Sequence, residues 1–189
     1  MLALLTAEQF IEQRYDLPDA GQWAELVEGV PTFLQPPGLE HGNVVLNLSK
    51  ALAQYTQENH AGYACFDLGL AVLRRPDTVR FPAVSYFLSG PRFAESDRPF
   101  TDTPPVLIVE LASTNDRRKG MASRILEYQE FGVPHVWVVD PHNRCVHVCH
   151  RGAAATRTDD VETLIGEPPL AGFSLPVAEL FATPEWWNG

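Results

Sequence analysis

Val106-Leu107-Ile108-Val109-Glu110-Leu111 (VLIVEL) is an aliphatic run interrupted by one carboxylate. A strand with one face in water alternates apolar and polar residues, whereas a continuous apolar run marks a central strand covered on both faces. Glu110 is therefore the anomaly of the stretch. A carboxylate in such a place is costly unless it is paired or ligates an ion. Two explanations stand: Glu110 belongs to a functional site, or it pairs with Arg124 on the segment that follows.

Downstream, Asn115 and Asp116 are good helix caps, and Gly132 with Pro134 beyond it ends the same helix. Its core face should carry Met121, Ile125 and Tyr128. Two strands follow, His135 to Val139 and Cys145 to Cys149, joined by a turn through Asp140-Pro141-His142-Asn143-Arg144. Upstream, the stretch from Tyr63 to Leu88 is strand-rich, broken by a hairpin turn at Arg74-Arg75-Pro76-Asp77-Thr78. From His41 to Asn59, Val44, Val45, Leu48, Leu52 and Tyr55 recur at helical spacing. Trp23 to Leu34 reads as a hairpin around a Glu-Gly turn, and Thr6 with Gln9 has capping-box spacing for a first helix. The tail, with Pro168, Pro169 and Pro176, reads as loop anchored by Trp186 and Trp187. Strands and helices in this order predict an α/β (α+β) fold, a mixed sheet flanked by helices.

The chain has 189 residues, which suits one domain over 1–189 with room for a real core. Apolar residues make up 45%, too many for disorder. No run approaches the roughly 20 apolar residues of a membrane span. The start lacks a basic leader and a cleavage site. Three cysteines, Cys65, Cys145 and Cys149, are too few and too odd in number for a disulfide framework, and they point to a reducing cytoplasm. Cys145, His147 and Cys149 alternate along one strand, about 7 Å apart, which suits zinc poorly. The net charge of -10 disfavours tight sequence-independent DNA binding without excluding a local basic groove.

Several segments together carry a resemblance: LTAEQF, AELVEGV, PPGLEHG, DTVRFPAVSYF, LIVELASTND, RILEYQEFGVPHVWVVDP and GEPPLAGFSLPVAELF. In this order, over nearly the whole chain, they resemble the Uma-type restriction-endonuclease family of the PD-(D/E)XK nuclease superfamily. The resemblance implies a restriction-endonuclease-like fold and hydrolysis of DNA phosphodiesters assisted by Mg²⁺ or Mn²⁺. It also implies a site built from a hairpin Glu, an Asp after Pro, a strand Glu and a helix Lys. Glu25 matches the first and Glu110 the third, which makes these two the metal-ligand candidates. The Asp position falls at Ala83, and the Lys position, four residues before Tyr128, falls at Arg124.

Ala83 offers neither charge nor oxygen to a cation that wants both. Asp77 follows a Pro, but it lies six residues before Ala83, about 20 Å along an extended chain, and it sits in a turn. Arg124 keeps a positive charge but cannot give up a proton. Paired with Glu110, it would be the relic of a lost active site. Glu110, Arg124 and Glu25 are the catalytic candidates; His41, Arg117 and Lys119 are the substrate-binding candidates, the last two in the cluster Arg117-Arg118-Lys119. The expected function is a metal-dependent endonuclease with weakened or lost catalysis. The alternative is a non-catalytic pseudonuclease that binds nucleic acid or protein, with DNA or a second copy of the chain in a homo-oligomer as candidate partners.

Overall fold

The structure is a computed structural model and describes residues 4–88, 95–168, 170–184 and 187. The elements follow the order α1 (Ala7–Gln13), β1 (Ala24–Val27), β2 (Val30–Phe33), α2 (Leu39–Asn59), β3 (Tyr63–Cys65), β4 (Gly69–Leu73), β5 (Thr78–Arg80) and β6 (Val84–Phe87). They continue with β7 (Phe100–Thr101), β8 (Leu107–Leu111), α3 (Asn115–Phe131), β9 (His135–Asp140), β10 (Cys145–His150), β11 (Thr156–Asp159), β12 (Thr163–Ile165), β13 (Ser174–Pro176) and α4 (Val177–Leu180). One mixed sheet has the order β11-β10-β9-β8-β6-β3 and a second has β2-β1-β5-β4-β7. Strands β12 and β13 form a separate pair.

The VLIVEL stretch supplies β8, buried along its whole length between β6 and β9. Strand alternation splits it between two cores. Leu107, Val109 and Leu111 join Val44, Leu48 and Leu52 of α2 on one face. Ile108 lies on the other face with Met121 and Tyr128 of α3 and with Leu68 and Leu70 at β4. Glu110 shares the parity of Ile108, so it points toward α3. On β1, Ala24 and Leu26 pack with Phe10 of α1, and Glu25 between them points the opposite way. The buried positions of α3 are Arg117, Met121, Arg124 and Tyr128, one stripe at helical spacing that carries two guanidiniums.

Thr6 and Gln9 form the expected capping box at α1. Three details differ from expectation. Thr114, not Asn115 or Asp116, occupies the N-cap position of α3, without a side-chain capping bond, and Asp116 instead accepts from Thr114 Oγ1, from the Arg117 N–H and from the Gln35 N–H at 2.6 Å. Ile125 is only half-buried on α3. The tail is not simply loop: it holds β11, β12, β13 and α4, and Leu180 and Phe181 join the α2-side core. The side chains of Asn43 and Asn47 on α2 hold it by donating to the Ala182 carbonyl at 2.7 and 2.9 Å. Trp186 and Pro169 lie outside the described residues, and Trp187 is partly exposed. Among the described residues, no helix is long and apolar enough to cross a membrane.

Candidate active site

Glu25 and Glu110 arrive from different sheets and meet at Arg124 of α3. Arg124 takes Glu25 in a two-pronged ion pair, Nη1 to Oε1 at 2.6 Å and Nη2 to Oε2 at 2.8 Å. Its Nη1 also lies 3.3 Å from Glu110 Oε1. Leu26 pairs with Val79, so β1 and β5 set Glu25 beside Arg80, whose Nη1 donates to Glu25 Oε2 at 2.9 Å. Arg80 then turns its Nε and Nη2 to the carboxylate of Glu127, at 2.7 and 2.8 Å. Tyr128, one turn beyond Arg124, donates its hydroxyl to Glu110 Oε1. Glu25, Glu110, Arg80 and Arg124 are all buried.

Burial favours the neutral form of every one of these groups, and their charges then decide the outcome. For Glu25, burial pushes the carboxyl upward, but Arg124 and Arg80 outweigh it and hold it below the usual range. Glu110 ends raised: burial pushes it up, the nearby charge of Glu25 adds to that, and Arg124 opposes. Burial and the charge of Glu110 hold the Tyr128 phenol protonated, so it is a donor here. The carboxylates raise Arg124 well above its ordinary value despite its burial.

Register also places Ala83. Val84 pairs with Val109 across antiparallel β6 and β8, so the preceding residue, Ala83, falls beside Glu110. Both line a cleft of about 520 Å³ with Glu25, His41, Trp23 and Arg117. Asp77 sits elsewhere: its carboxylate accepts from the backbone N–H groups of Ala7 at 2.8 Å and Arg75 at 3.0 Å and pairs with Arg74. It is a buried turn former, as its sequence context suggests.

The wall of the cleft comes from the start of α2 and the start of α3. His41 Nδ1 lies 2.9 Å from Ser113 Oγ, and its ring meets Trp23 edge-on at 6.1 Å. Arg117 is buried, sits 5.5 Å from the Trp23 ring centroid, and donates to the Gln35 carbonyl at 2.7 Å. The expected basic cluster is thus divided. Arg118 caps the Ala112 carbonyl at 3.0 Å, and Lys119 is exposed and does not line the cleft. Cys145 Sγ lies 3.6 Å from His147 Nε2, but among the described residues these two and Cys149 do not converge on an ion.

The family model described as "Putative restriction endonuclease" matches residues 8–178. The chain belongs to the Uma2 family. No curated protein matches the sequence. A solved structure titled a "putative nuclease belonging to DUF820", from Anabaena variabilis, is 19% identical, with a TM-score of 0.76 over 94% of this chain and 97% of that one. At that identity the likeness establishes a shared fold. The Uma2 chain therefore has the restriction-endonuclease-like architecture expected of its sequence, with Glu25 and Glu110 lining one cleft and Arg124 bonded to both.

Two members of the cluster were not singled out in the sequence. Arg80 stands in the strand Thr78-Val79-Arg80, buried throughout, and a cation in such a strand is the same kind of signal as Glu110. Tyr128 reads as a core residue, and only the partner of its hydroxyl shows its second role.

Arg124→Ala would strand one firmly ionised carboxylate and a second beside it, in a buried setting. It should cost about 3–5 kcal/mol of stability, read from urea denaturation. A loss below about 1 kcal/mol would mean that the network is not closed as described. His41 gives a second expectation. Burial, with Arg117 adding, pushes its imidazole from 6.5 down to about 4. The unfolded chain then takes the proton first, so the stability His41 contributes above pH 6.5 is lost as the pH falls from 6.5 toward 4. NMR of the ring nitrogens should find His41 neutral at about pH 5.5; a midpoint near the free-histidine value would refute this.

Proposed function

We propose that this Uma2 chain is a DNA-binding pseudonuclease, a restriction-endonuclease-type fold in which metal-dependent phosphodiester cleavage has been lost. The observation that carries the reading is that both carboxylate oxygens of Glu25 are already held by guanidiniums, those of Arg124 and Arg80.

A hydrolytic Mg²⁺ or Mn²⁺ needs hard oxygen ligands and a water whose pKa it lowers. The residues at this cleft do not fit such an ion. Position 83, beside Glu110, offers a methyl group where an oxygen is needed. Of the other carboxylates lining the cleft, Asp67 is paired with Arg14, and the raised pKa of Glu110 weakens it as a ligand. A dication here would also lie next to Arg124, a guanidinium that spans Glu25 with two parallel hydrogen bonds. Lysine would meet the same carboxylate as a single point charge and leave more of it free. The two changed positions thus act together: Ala83 removes a ligand, and Arg124 supplies a built-in cation in its stead.

DNA is the proposed partner because the cleft wall pairs a guanidinium with an aromatic ring. Arg117 beside Trp23 is suited to a phosphate and a base respectively. The bulk charge of -10 makes such binding weak and strongly dependent on salt.

A plasmid-nicking assay in Mg²⁺ and Mn²⁺ tests the reading. The natural chain should leave supercoiled plasmid intact, and Ala83→Asp combined with Arg124→Lys should nick it. Nicking by the natural chain that disappears in Glu110→Ala would overturn the proposal and make the protein an enzyme.

A further inference from the structure

His135 and His150 are directly opposed in the antiparallel pair β9–β10. Opposed side chains in such a pair start from Cβ atoms roughly 5 Å apart on one face. Their parity places them with Trp137 and Val148, whose side chains belong to the α2-side core. Glu110 points to the other face. His135 also pairs with Leu107 at the start of β8, while Glu110 pairs with Val138. The histidine pair therefore lies on the opposite face of the sheet from Glu110 and about 10 Å from it along the strands.

The two Nδ1 atoms are 3.0 Å apart, with the rings edge-to-face at 89°. At that distance one nitrogen donates and the other presents a lone pair. Two imidazoles bound to a tetrahedral ion at about 2.0–2.1 Å would have their nitrogens about 3.3 Å apart. Exchanging the shared proton for a cation thus needs a few tenths of an ångström in spacing and a turn of the rings that aims both lone pairs at the ion. Glu167, in the loop after β12, is the third candidate ligand: its Oε2 is 3.2 Å from His150 Nε2, the ring nitrogen that does not face His135, so it must swing across to share an ion with the Nδ1 pair. One ligand atom from each of the three residues lies within 4.8 Å of the others. The Glu167 side chain is 60% exposed, so it can turn onto an ion without disturbing the core.

The surroundings suit a metal-binding imidazole. Burial, reinforced by His150, lowers the pKa of His135 and keeps it in the neutral form that ligates. A backbone contact from Pro168 bears on the same ring, the kind of contact that orients metal-binding histidines. Leu107, Trp137, Ile165 and Leu170 wall the hollow with apolar surface.

We propose that His135, His150 and Glu167 form a binding site for a transition-metal ion of the zinc class, distinct from the cleft at Glu110. Two imidazoles with one carboxylate favour Zn²⁺, Co²⁺, Ni²⁺ or Cu²⁺ over Mg²⁺. Three protein ligands leave one tetrahedral position to water.

Co²⁺ is the probe, because its visible absorption reports both binding and coordination number. The full chain without an affinity tag should take up one Co²⁺ with a tetrahedral-type spectrum, and Zn²⁺ should displace it. His150→Gln should abolish uptake, Glu167→Gln should weaken it about tenfold or more, and His60→Gln, an exposed histidine at the end of α2, should leave it unchanged. If His150→Gln fails to fold, the exposed Glu167→Gln decides alone. No uptake by the folded natural chain, or uptake unaffected by Glu167→Gln, would overturn the proposal. So would uptake lost in His60→Gln.

Discussion

Glu25 and Glu110 come from different sheets, and one guanidinium, that of Arg124, reaches both. Ions buried away from water must neutralise one another where they stand, because the cost of desolvation is otherwise several kcal/mol for each. Here the requirement fixes the relation of three elements. β1 brings Glu25, β8 brings Glu110, and α3 must present Arg124 between them with Tyr128 one turn on. Arg80 extends the network from β5 outward to Glu127 on the half-buried side of α3. Helix α3 carries little apolar surface on its buried stripe, and ion pairs supply what its packing lacks.

The same network explains why Ala83 matters. At the edge of the cleft, the strand register sets a methyl group beside Glu110. Position 83 offers no oxygen, while Arg124 and Arg80 together hold the charge of Glu25 and Arg124 also reaches Glu110. On the proposed reading, the chain itself supplies the positive charge that a metal would bring. Wall residues Arg117, Trp23 and His41 are held by Gln35, Ser113 and one another, and Arg117 also feels the charges of Glu110 and Glu25.

Much of this was legible in the sequence where a local pattern dictates it. The unbroken VLIVEL run marks β8 as the centre of a sheet, and its carboxylate leaves two explanations, a functional site or pairing with Arg124, the second of which needs the family resemblance to single out Arg124. The spacing of apolar residues placed α2 and α3. The capping of α3 was misread because Asp116 is recruited by Gln35, a residue far away in sequence. Lys119 read as part of a basic cluster, but helix geometry sends Arg117 inward and leaves its neighbour in water. The tail strands were hidden by prolines and short lengths. The partnership of Arg80 with Glu25 and that of His135 with His150 depend on strand register, which no local pattern encodes.

Whether Arg124 has taken the place of a metal is decided most directly by anomalous diffraction from crystals soaked in Mn²⁺. With the guanidinium in place, no manganese peak should lie within about 3 Å of the carboxylates of Glu25 and Glu110. A peak at ligand distance from Glu110, with Arg124 swung away from Glu25, would contradict the exchange and restore the cleft as a metal centre.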